Sequence, residues 1–191
     1  MFVQTDNTAG NTIVAYVRTA AGGLQQVGSY PAGGDGGLLT GSVVDHLSSE
    51  GSLAYDARAG LLYSVNAGSN TITVFAGRGD TLVRKQVISS GGQFPVSIAV
   101  HGSQVFVLNA LGGASVSGFV QSGGAVALLG NTATDAGTVD AAASSDGHYL
   151  YVQAGGAGNV DAYRIDPDGS PTETDSVTVP GAVGGEGIVA L

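Results

Sequence analysis

The sequence has no cysteine, no tryptophan and few basic residues, and two of these shortages exclude whole classes of structure or function. Without cysteine, the chain has no disulfide, no thiolate zinc site and no cysteine nucleophile. Six basic residues against fifteen acidic ones give a net charge of −9, which would repel the phosphates of nucleic acid and an anionic lipid surface. We therefore expect neither nucleic acid nor a membrane as a partner.

Long apolar runs are missing as well. No stretch approaches the roughly 18 apolar residues of a transmembrane helix. Residues 1–11 lack the basic segment and apolar core of a signal peptide. We expect a soluble protein, and the sequence leaves its compartment open.

Charged residues are scarce, at 11% of the chain, while hydrophobic residues make up 43%. That balance provides enough apolar surface for a packed core, so the 33 glycines are better explained as turn residues than as a sign of disorder. A length of 191 residues fits one compact domain.

A hairpin motif recurs four times along the chain. In each copy, a strand that begins near an aromatic residue leads into a Gly/Asn-rich turn, and a second strand ends on an aromatic residue. The copies are MFVQTDNTAGNTIVAY, LYSVNAGSNTITVF, VFVLNALGGASVSGF and LYVQAGGAGNVDAY. Their first aromatic residues are Phe2, Tyr63, Phe106 and Tyr151, and their second are Tyr16, Phe75, Phe119 and Tyr163.

The later copies are separated by about 44 residues, the period of a four-stranded propeller blade. The period predicts units at approximately 1–49, 50–94, 95–138 and 139–182, with 183–191 completing the first unit's blade. The first interval is longer, which we attribute to an inserted loop at 33–50. The prediction is an all-β fold in one domain, a β-propeller with four blades of four antiparallel strands.

The two ends of the sequence carry complementary parts of one unit. GEGIVAL aligns with EGSLAYD and PVSIAVH, the first strands of two units, whereas residue 1 opens directly into a second strand. Pairing between these ends would close a ring and leave no free sheet edge. Four blades alone must turn about 90° each and eight about 45°. We therefore favour an eight-bladed head-to-tail homodimer over a closed four-bladed monomer.

Three segments carry a resemblance to a known family. SVNAGSNTITVF, GGQFPVSIAVHGSQVFVLNA and DAAASSDGHYLYVQAGGAGNVDAYRIDPDGS resemble lactonase-type propellers, the group that includes 6-phosphogluconolactonase-like proteins and the carboxymuconate-lactonizing enzyme. The resemblance implies a propeller of about seven blades, of which this chain has four. It also implies a site with a histidine, arginines and a glutamate, and no such set can be matched here residue by residue.

Propellers commonly bind ligands at one mouth of the central channel, where loops from successive blades converge. Glu50 is the candidate general base, and His46, beside Asp45 in the inserted loop, is the other candidate catalytic residue. Alternatively, His46 belongs to an ordinary polar loop, because neighbours in sequence do not make a triad. The candidate ligand-binding residues are Ser52, Asn66, Phe94, Asn109, Asp140, Gln153 and Glu186.

The remaining chemically interesting residues are better explained as turn residues. His101 and His148 occupy equivalent turns between first and second strands. Asp166 and Asp168 lie in DPDGS, which has turn chemistry and lacks the further acidic positions of a calcium loop. We therefore predict no metal site and no cofactor.

Two functions remain open. The first is a scaffold or small-ligand-binding module, either a naturally shortened or an engineered propeller. The alternative is a hydrolase that acts on a small lactone or sugar-acid lactone at the central channel. The candidate site contains no arginine or lysine, which argues against a phosphorylated substrate because phosphate prefers cationic partners.

Overall fold

The computed structural model describes residues 1–41 and 46–191, and its strands form four antiparallel sheets arranged as propeller blades. The first sheet has three strands and each of the others has four. Within the described ranges, the sole helical element is a three-residue 3-10 turn at Ala67–Ser69, and no helix there could cross a membrane. The prediction of an all-β propeller with four blades is confirmed.

Each blade is a meander whose strands follow one another in sequence. The first blade contains β1 (Phe2–Gln4), β2 (Thr12–Arg18) and β3 (Leu24–Pro31). The second contains β4 (Leu53–Asp56), β5 (Leu61–Asn66), β6 (Thr71–Arg78) and β7 (Thr81–Ser89). The third contains β8 (Gln93–His101), β9 (Gln104–Leu111), β10 (Ser115–Ser122) and β11 (Ala125–Ala133). The fourth contains β12 (Thr138–Ala143), β13 (Tyr149–Ala154), β14 (Asn159–Ile165) and β15 (Pro171–Thr178).

A β-bulge recurs at the same place in every blade. In each blade, the pairing between the last two strands shifts register immediately before the second aromatic residue of the repeat. A bulge bends its strand and increases the local twist, so a repeated bulge gives every blade a similar curvature. The four aromatic residues that follow the bulge are Tyr16, Phe75, Phe119 and Tyr163.

The core lies between the blades rather than within any one of them. Every residue of β5 is buried, because its alternate side chains point toward the two neighbouring blades. The outer strand β7 is mostly exposed instead, and Leu82 is its one buried residue. Gln86 on this strand makes two hydrogen bonds to the third blade. Its amide donates to the Val126 carbonyl at 3.0 Å and accepts from the Val126 N–H at 2.8 Å. The outer strands of the second and third blades are thereby joined.

The four blades form an open arc. Residues 183–191 belong to no strand, and the first blade accordingly lacks an inner strand. No hydrogen bond between described residues joins β1–β3 to β12–β15. The strand pairing that a closed four-bladed chain requires is thus absent from the described residues, and residues 184 and 187 contact the fourth blade instead.

Candidate functional site

Equivalent positions of successive repeats meet where the inner strands begin. Ser97 of β8 and Asp140 of β12 occupy the same place in their repeats, and Gly187 matches them in the last unit. Together with Gly51, they surround one small cavity. The Ile98 N–H donates to the Gly51 carbonyl at 2.8 Å, which connects the second and third blades there. This convergence marks one mouth of the central channel.

Asp140 connects three separate segments at this mouth. Its side chain is buried, and Oδ1 accepts hydrogen bonds from the Ser49 hydroxyl at 2.9 Å and the Gly51 N–H at 3.2 Å. Oδ2 accepts from the Gly187 N–H at 3.2 Å. The carboxylate therefore holds the end of the inserted loop and the C-terminal segment against β12. We name residues 183–188 the covering segment.

Two neighbouring cavities lie along the covering segment. The larger, of about 500 Å³, is lined mainly by glycine and aliphatic side chains, and the smaller, of about 190 Å³, is more polar. The larger is bounded by Leu39, Ser48, Ala110, Leu111, Gly137, Thr138, Val139, Gly155, Gly156 and residues 183–186. The smaller is bounded by Glu50, Gly51, Ser97, Ile98, Asp140, Ala141, Gly187 and Ile188.

Glycine is required where the covering segment approaches the fourth blade. A Cβ atom at Gly155 would lie 2.6 Å from the Gly185 carbonyl oxygen, closer than real contacts allow. The Gly184 N–H donates to the Gly155 carbonyl at 2.8 Å, which fixes the segment at this distance. The wall of the larger cavity therefore depends on backbone contacts that only small residues permit.

The charge at the channel mouth has one sign. Glu186 lines the larger cavity, and Glu50 and Asp140 line the smaller one. None of the described residues lining either cavity is a lysine, an arginine or a histidine. An anionic ligand would find no cationic partner here, so the site does not suit an anion.

The two candidate catalytic residues lie apart. Glu50 is exposed at the smaller cavity. His46 is 45% exposed and has its Nδ1 3.9 Å from Oδ2 of Asp6, a residue of the first blade. No hydrogen bond or ion pair in the described structure joins His46 to Glu50. Asp45, its sequence neighbour, lies outside the described residues. Of these two candidates, Glu50 lies at one of the two cavities described above.

Asn66 and Asn109 are engaged within the protein. Both are fully buried at the ends of β5 and β9. The Asn66 amide donates to the Thr73 hydroxyl at 2.9 Å and accepts from Asn11 at 3.0 Å. Asn109 donates to the Ser117 hydroxyl at 3.1 Å. Each amide thus joins two neighbouring strands, Asn66 to β6 and Asn109 to β10.

Some of the other predicted ligand-binding residues make contacts within the protein, and others line a cavity. Phe94 is buried against Gly37 of the inserted loop, and its N–H donates to Asn70 Oδ1 at 2.7 Å. Gln153 has its amide beside Gly185 of the covering segment. Ser52 is partly buried, and its carbonyl accepts from the Val65 N–H at 3.1 Å. Of the predicted set, Asp140 lines the smaller of the two cavities described above and Glu186 lines the larger.

Sequence reasoning missed the apolar part of the site. Leu39, Leu111, Val139 and Val183 line the larger cavity, and none of them carries a chemical signature in the sequence. The paired glycines at 155–156 and 184–185 were the available signal. They allow two backbone segments to approach closely, and such an approach often accompanies a ligand site.

The turn after β12 contains a serine, an aspartate and a histidine in hydrogen-bonding contact. Asp146 accepts from the Ser144 hydroxyl at 2.6 Å, and its other oxygen lies 3.1 Å from His148 Nδ1. The acid separates the serine from the histidine, so the histidine cannot activate the serine as a catalytic triad requires. The His148 N–H also donates to Asp146 at 3.0 Å, which makes the group a turn.

Hydrogen bonds from Ser144, and then from the His148 N–H and side chain, lower the pKa of Asp146 to about 2. A lowered pKa stabilises the folded state above the ordinary value of 3.8, and the effect disappears as the pH falls through 2. We expect Ser144→Ala to move the Asp146 midpoint toward 3.8, measured by carboxyl-carbon NMR titration. Ser176→Ala, at a distant serine, should leave it unchanged. An Asp146 midpoint near 3.8 in the unaltered chain would contradict the hydrogen bonding described.

The DPDGS segment is also a turn. Asp166 accepts from Arg164 Nε at 2.8 Å, and Asp168 accepts from the Ser170 hydroxyl at 2.6 Å. A hydrogen bond from Thr172, and then the one from Arg164, lower the pKa of Asp166, and hydrogen bonds from the Ser170 hydroxyl and N–H lower the pKa of Asp168. In the described part of the chain, no group of three or more His, Asp or Glu side chains is arranged to hold a metal ion.

No family model matches the sequence, and no curated protein matches it. Several solved structures, however, have a similar fold. A protein from Lactobacillus plantarum superposes with a TM-score of 0.71 at 16% identity, over 90% of this chain and 51% of that one. A candidate 6-phosphogluconolactonase from Bacteroides uniformis gives 0.67 at 16% identity, over 95% and 54%. The periplasmic gluconolactonase of Pseudomonas aeruginosa gives 0.54 at 13% identity, over 93% and 82%.

These similarities concern the fold, because every one of the identities is low. The chain spans about half the length of the Lactobacillus and Bacteroides proteins. Its blades therefore have the relative arrangement found in part of a larger propeller. The chain has the fold of the lactonase-like β-propellers.

Proposed function

We propose that this chain binds a small, uncharged molecule at the channel mouth, in the larger cavity beneath the covering segment. The observation that carries the proposal is a cavity of about 500 Å³ lined by glycine and aliphatic groups. Such a volume fits a small ligand, and mostly apolar walls with a few polar groups are typical of ligand sites. Binding, rather than a purely structural scaffold, is the role that this cavity favours.

The ligand class follows from charge and from the structural neighbours. Two of the similar structures carry the names 6-phosphogluconolactonase and gluconolactonase. The first name implies a phosphorylated substrate and the second an uncharged one. With only carboxylates at this mouth, an uncharged lactone is the better match, because a phosphate would meet repulsion without compensation.

Calorimetric titration with a series of uncharged lactones, and with the hydroxy acids they open to, tests binding. We expect the lactones to bind and the acids to bind at least tenfold more weakly.

Leu111→Trp should fill the larger cavity and weaken binding at least tenfold. Leu128→Trp is the matched control, since Leu128 and Leu111 are similarly exposed, at 46% and 47%, and only Leu111 lines the cavity. Equal binding by both variants would place the ligand elsewhere.

Hydrolysis of the lactone is the second candidate function, and the position of Glu50 favours it. This exposed carboxylate lines the smaller cavity beside the larger one. It would accept a proton from water as the water oxygen adds to the lactone carbonyl carbon. The ring C–O bond then breaks, and the proton passes to the departing ring oxygen. No described cationic side chain at either cavity would stabilise the oxyanion, which is why binding ranks first.

We expect Glu50→Gln to lower lactone hydrolysis by about 100-fold, the lower end of the usual general-base contribution. Binding to the larger cavity should remain, because Glu50 does not line it. Glu173→Gln, at an exposed carboxylate on β15, is the control. If the unaltered chain hydrolyses no lactone above the buffer rate, or if Glu50→Gln retains full activity, hydrolysis by Glu50 is excluded and binding stands alone.

A further inference from the structure

The outer face of the fourth blade exposes positions of the repeat that are buried in other blades. Tyr151 matches Tyr63 and Phe106 by strand register, and both of these are fully buried, whereas Tyr151 is partly exposed. Gln153 and Val160, its neighbours on this face, are also partly exposed. The fourth blade thus presents a face that is covered in the second and third blades.

The first blade exposes the other face of its sheet, the face opposite to that of Phe2. Its Val3 is 44% exposed and matches Ser64, which is fully buried in the second blade. Tyr16, which follows the bulge, is partly exposed and matches Phe75, which is buried. Both ends of the arc therefore expose positions that are buried inside it.

The chain itself shows how these two kinds of face pack. Ile13 and Phe2, on the inward face of the first blade, pack against Leu62, Phe75 and Leu82 of the second. Phe2 is the equivalent of Tyr151, and Phe75 is the equivalent of Tyr16. The exposed face of the fourth blade is thus of the type that packs against the exposed face of the first. Within one chain, no strand pairing or hydrogen bond between described residues joins these two faces.

A strand is also missing at the same end. Blades two to four have the inner strands β4, β8 and β12, and the first blade has none, which leaves the edge of β1 unpaired. Ile188 lies at the position of Leu53 and Ile98 in the repeat and borders the smaller cavity with Ile98. Beyond it, Val189 is 83% exposed and Leu191 98% exposed. An apolar segment with inner-strand spacing is therefore available to another sheet.

We propose that a second copy of this chain completes the ring. The outer face of each fourth blade packs on the outer face of the partner's first blade, and residues 186–191 become that blade's inner strand. Two copies then form eight blades that turn about 45° each and leave no free edge. Because the candidate site lies where inner strands begin, closure would surround the channel mouth with blades on all sides.

The register of the added strand follows from the second blade. There Leu53 pairs with Ser64 and Ala54 with Tyr63. By equivalence, Ile188 of one copy should lie opposite Val3 of the other, and Val189 opposite Phe2. Directly opposite positions on antiparallel strands are close enough for a disulfide, whereas a shift of one residue turns the side chain to the other face.

Cysteine cross-linking tests this register cleanly, because the chain has no cysteine of its own. We expect Val3→Cys/Ile188→Cys to form a covalent two-copy species on mild oxidation, at least tenfold faster than Val3→Cys/Val189→Cys. Equal rates for the two variants, or a disulfide within a single chain, would overturn the proposed strand exchange.

Light scattering on a size-exclusion column tests the assembly without cross-links. We expect about twice the 18.7 kDa of one chain. Tyr151→Glu and Val3→Glu should each weaken association at least tenfold with the circular dichroism of the folded chain retained. Val83→Glu, at an exposed valine of β7, should remain dimeric. A folded chain of single mass, or an open-ended series of larger masses, would overturn the two-copy ring.

Discussion

Replacing Asp140 by alanine should lower the free energy of unfolding by about 2–4 kcal/mol, because the Ser49 hydroxyl and the Gly51 and Gly187 N–H groups all lose an acceptor. A hydrogen bond lost near the interior costs about 1–3 kcal/mol. The Gly51 N–H keeps the Ser49 hydroxyl oxygen as an acceptor, at 3.1 Å, which offsets part of this loss. The same change should release the covering segment and weaken lactone binding in parallel. Urea denaturation and calorimetric titration measure the two effects.

Asp140→Asn distinguishes the contribution of the Oδ1 contacts from that of the Oδ2 contact. If the amide oxygen takes the place of Oδ1, the bonds from Ser49 and Gly51 remain, and an NH₂ group faces the Gly187 N–H. We expect a smaller loss of stability than with alanine, about 1–2 kcal/mol, and the same loss of binding. Asp168→Asn, in an exposed turn, is the control for removing one charge. Unchanged stability in Asp140→Ala would show that the carboxylate does not hold these segments.

Asn66→Ala should lower the free energy of unfolding more than Asn109→Ala, although the two residues occupy equivalent positions. Removing the Asn66 amide leaves the Thr73 hydroxyl and the Asn11 amide short of a partner, and Asn11 joins the first blade to the second. Removing the Asn109 amide affects chiefly the contact to Ser117 in its own blade, together with a longer one, of 3.5 Å, to the Ser90 carbonyl after β7. We expect about 3 kcal/mol for the first and about 1–2 kcal/mol for the second.

Chemical denaturation of both variants measures this difference, with Gln25→Ala on the outer strand β3 as the reference for an exposed amide. A larger loss in Asn109→Ala than in Asn66→Ala would contradict the contact between the first and second blades. Lactone binding should persist in both folded variants, since neither amide lines a cavity.

The fold was predictable because local signals agreed with one another. The aromatic residues that end the third strand of each repeat mark a β-bulge in every blade, and the period between repeats matches one blade. The apolar runs of β5 and β9 indicated strands covered on both faces. Such signals depend on residues close in sequence, which is why the sequence contains them.

The site was less predictable because it depends on contacts distant in sequence. Asn66 and Asn109 lie at strand ends that face the channel, but the sequence does not show that Thr73, Asn11 and Ser117 occupy their amides. Asp140 was predicted at the mouth, but its link to Gly187 joins residues far apart in the chain and has no signal in the sequence. The larger cavity is formed by aliphatic and glycine residues, which have no chemical signature of their own.

Hydrogen exchange of the covering segment is the most direct test of the account, because the candidate site exists only if this segment lies along β12. In the unaltered chain, the Gly184 and Gly187 amides should exchange at least tenfold more slowly than in an unfolded chain, since they donate to Gly155 and Asp140. In Asp140→Asn, Gly187 should lose this protection, and Gly184 should retain at least part of it. Exchange of both amides at the unfolded rate in the unaltered chain would contradict the site.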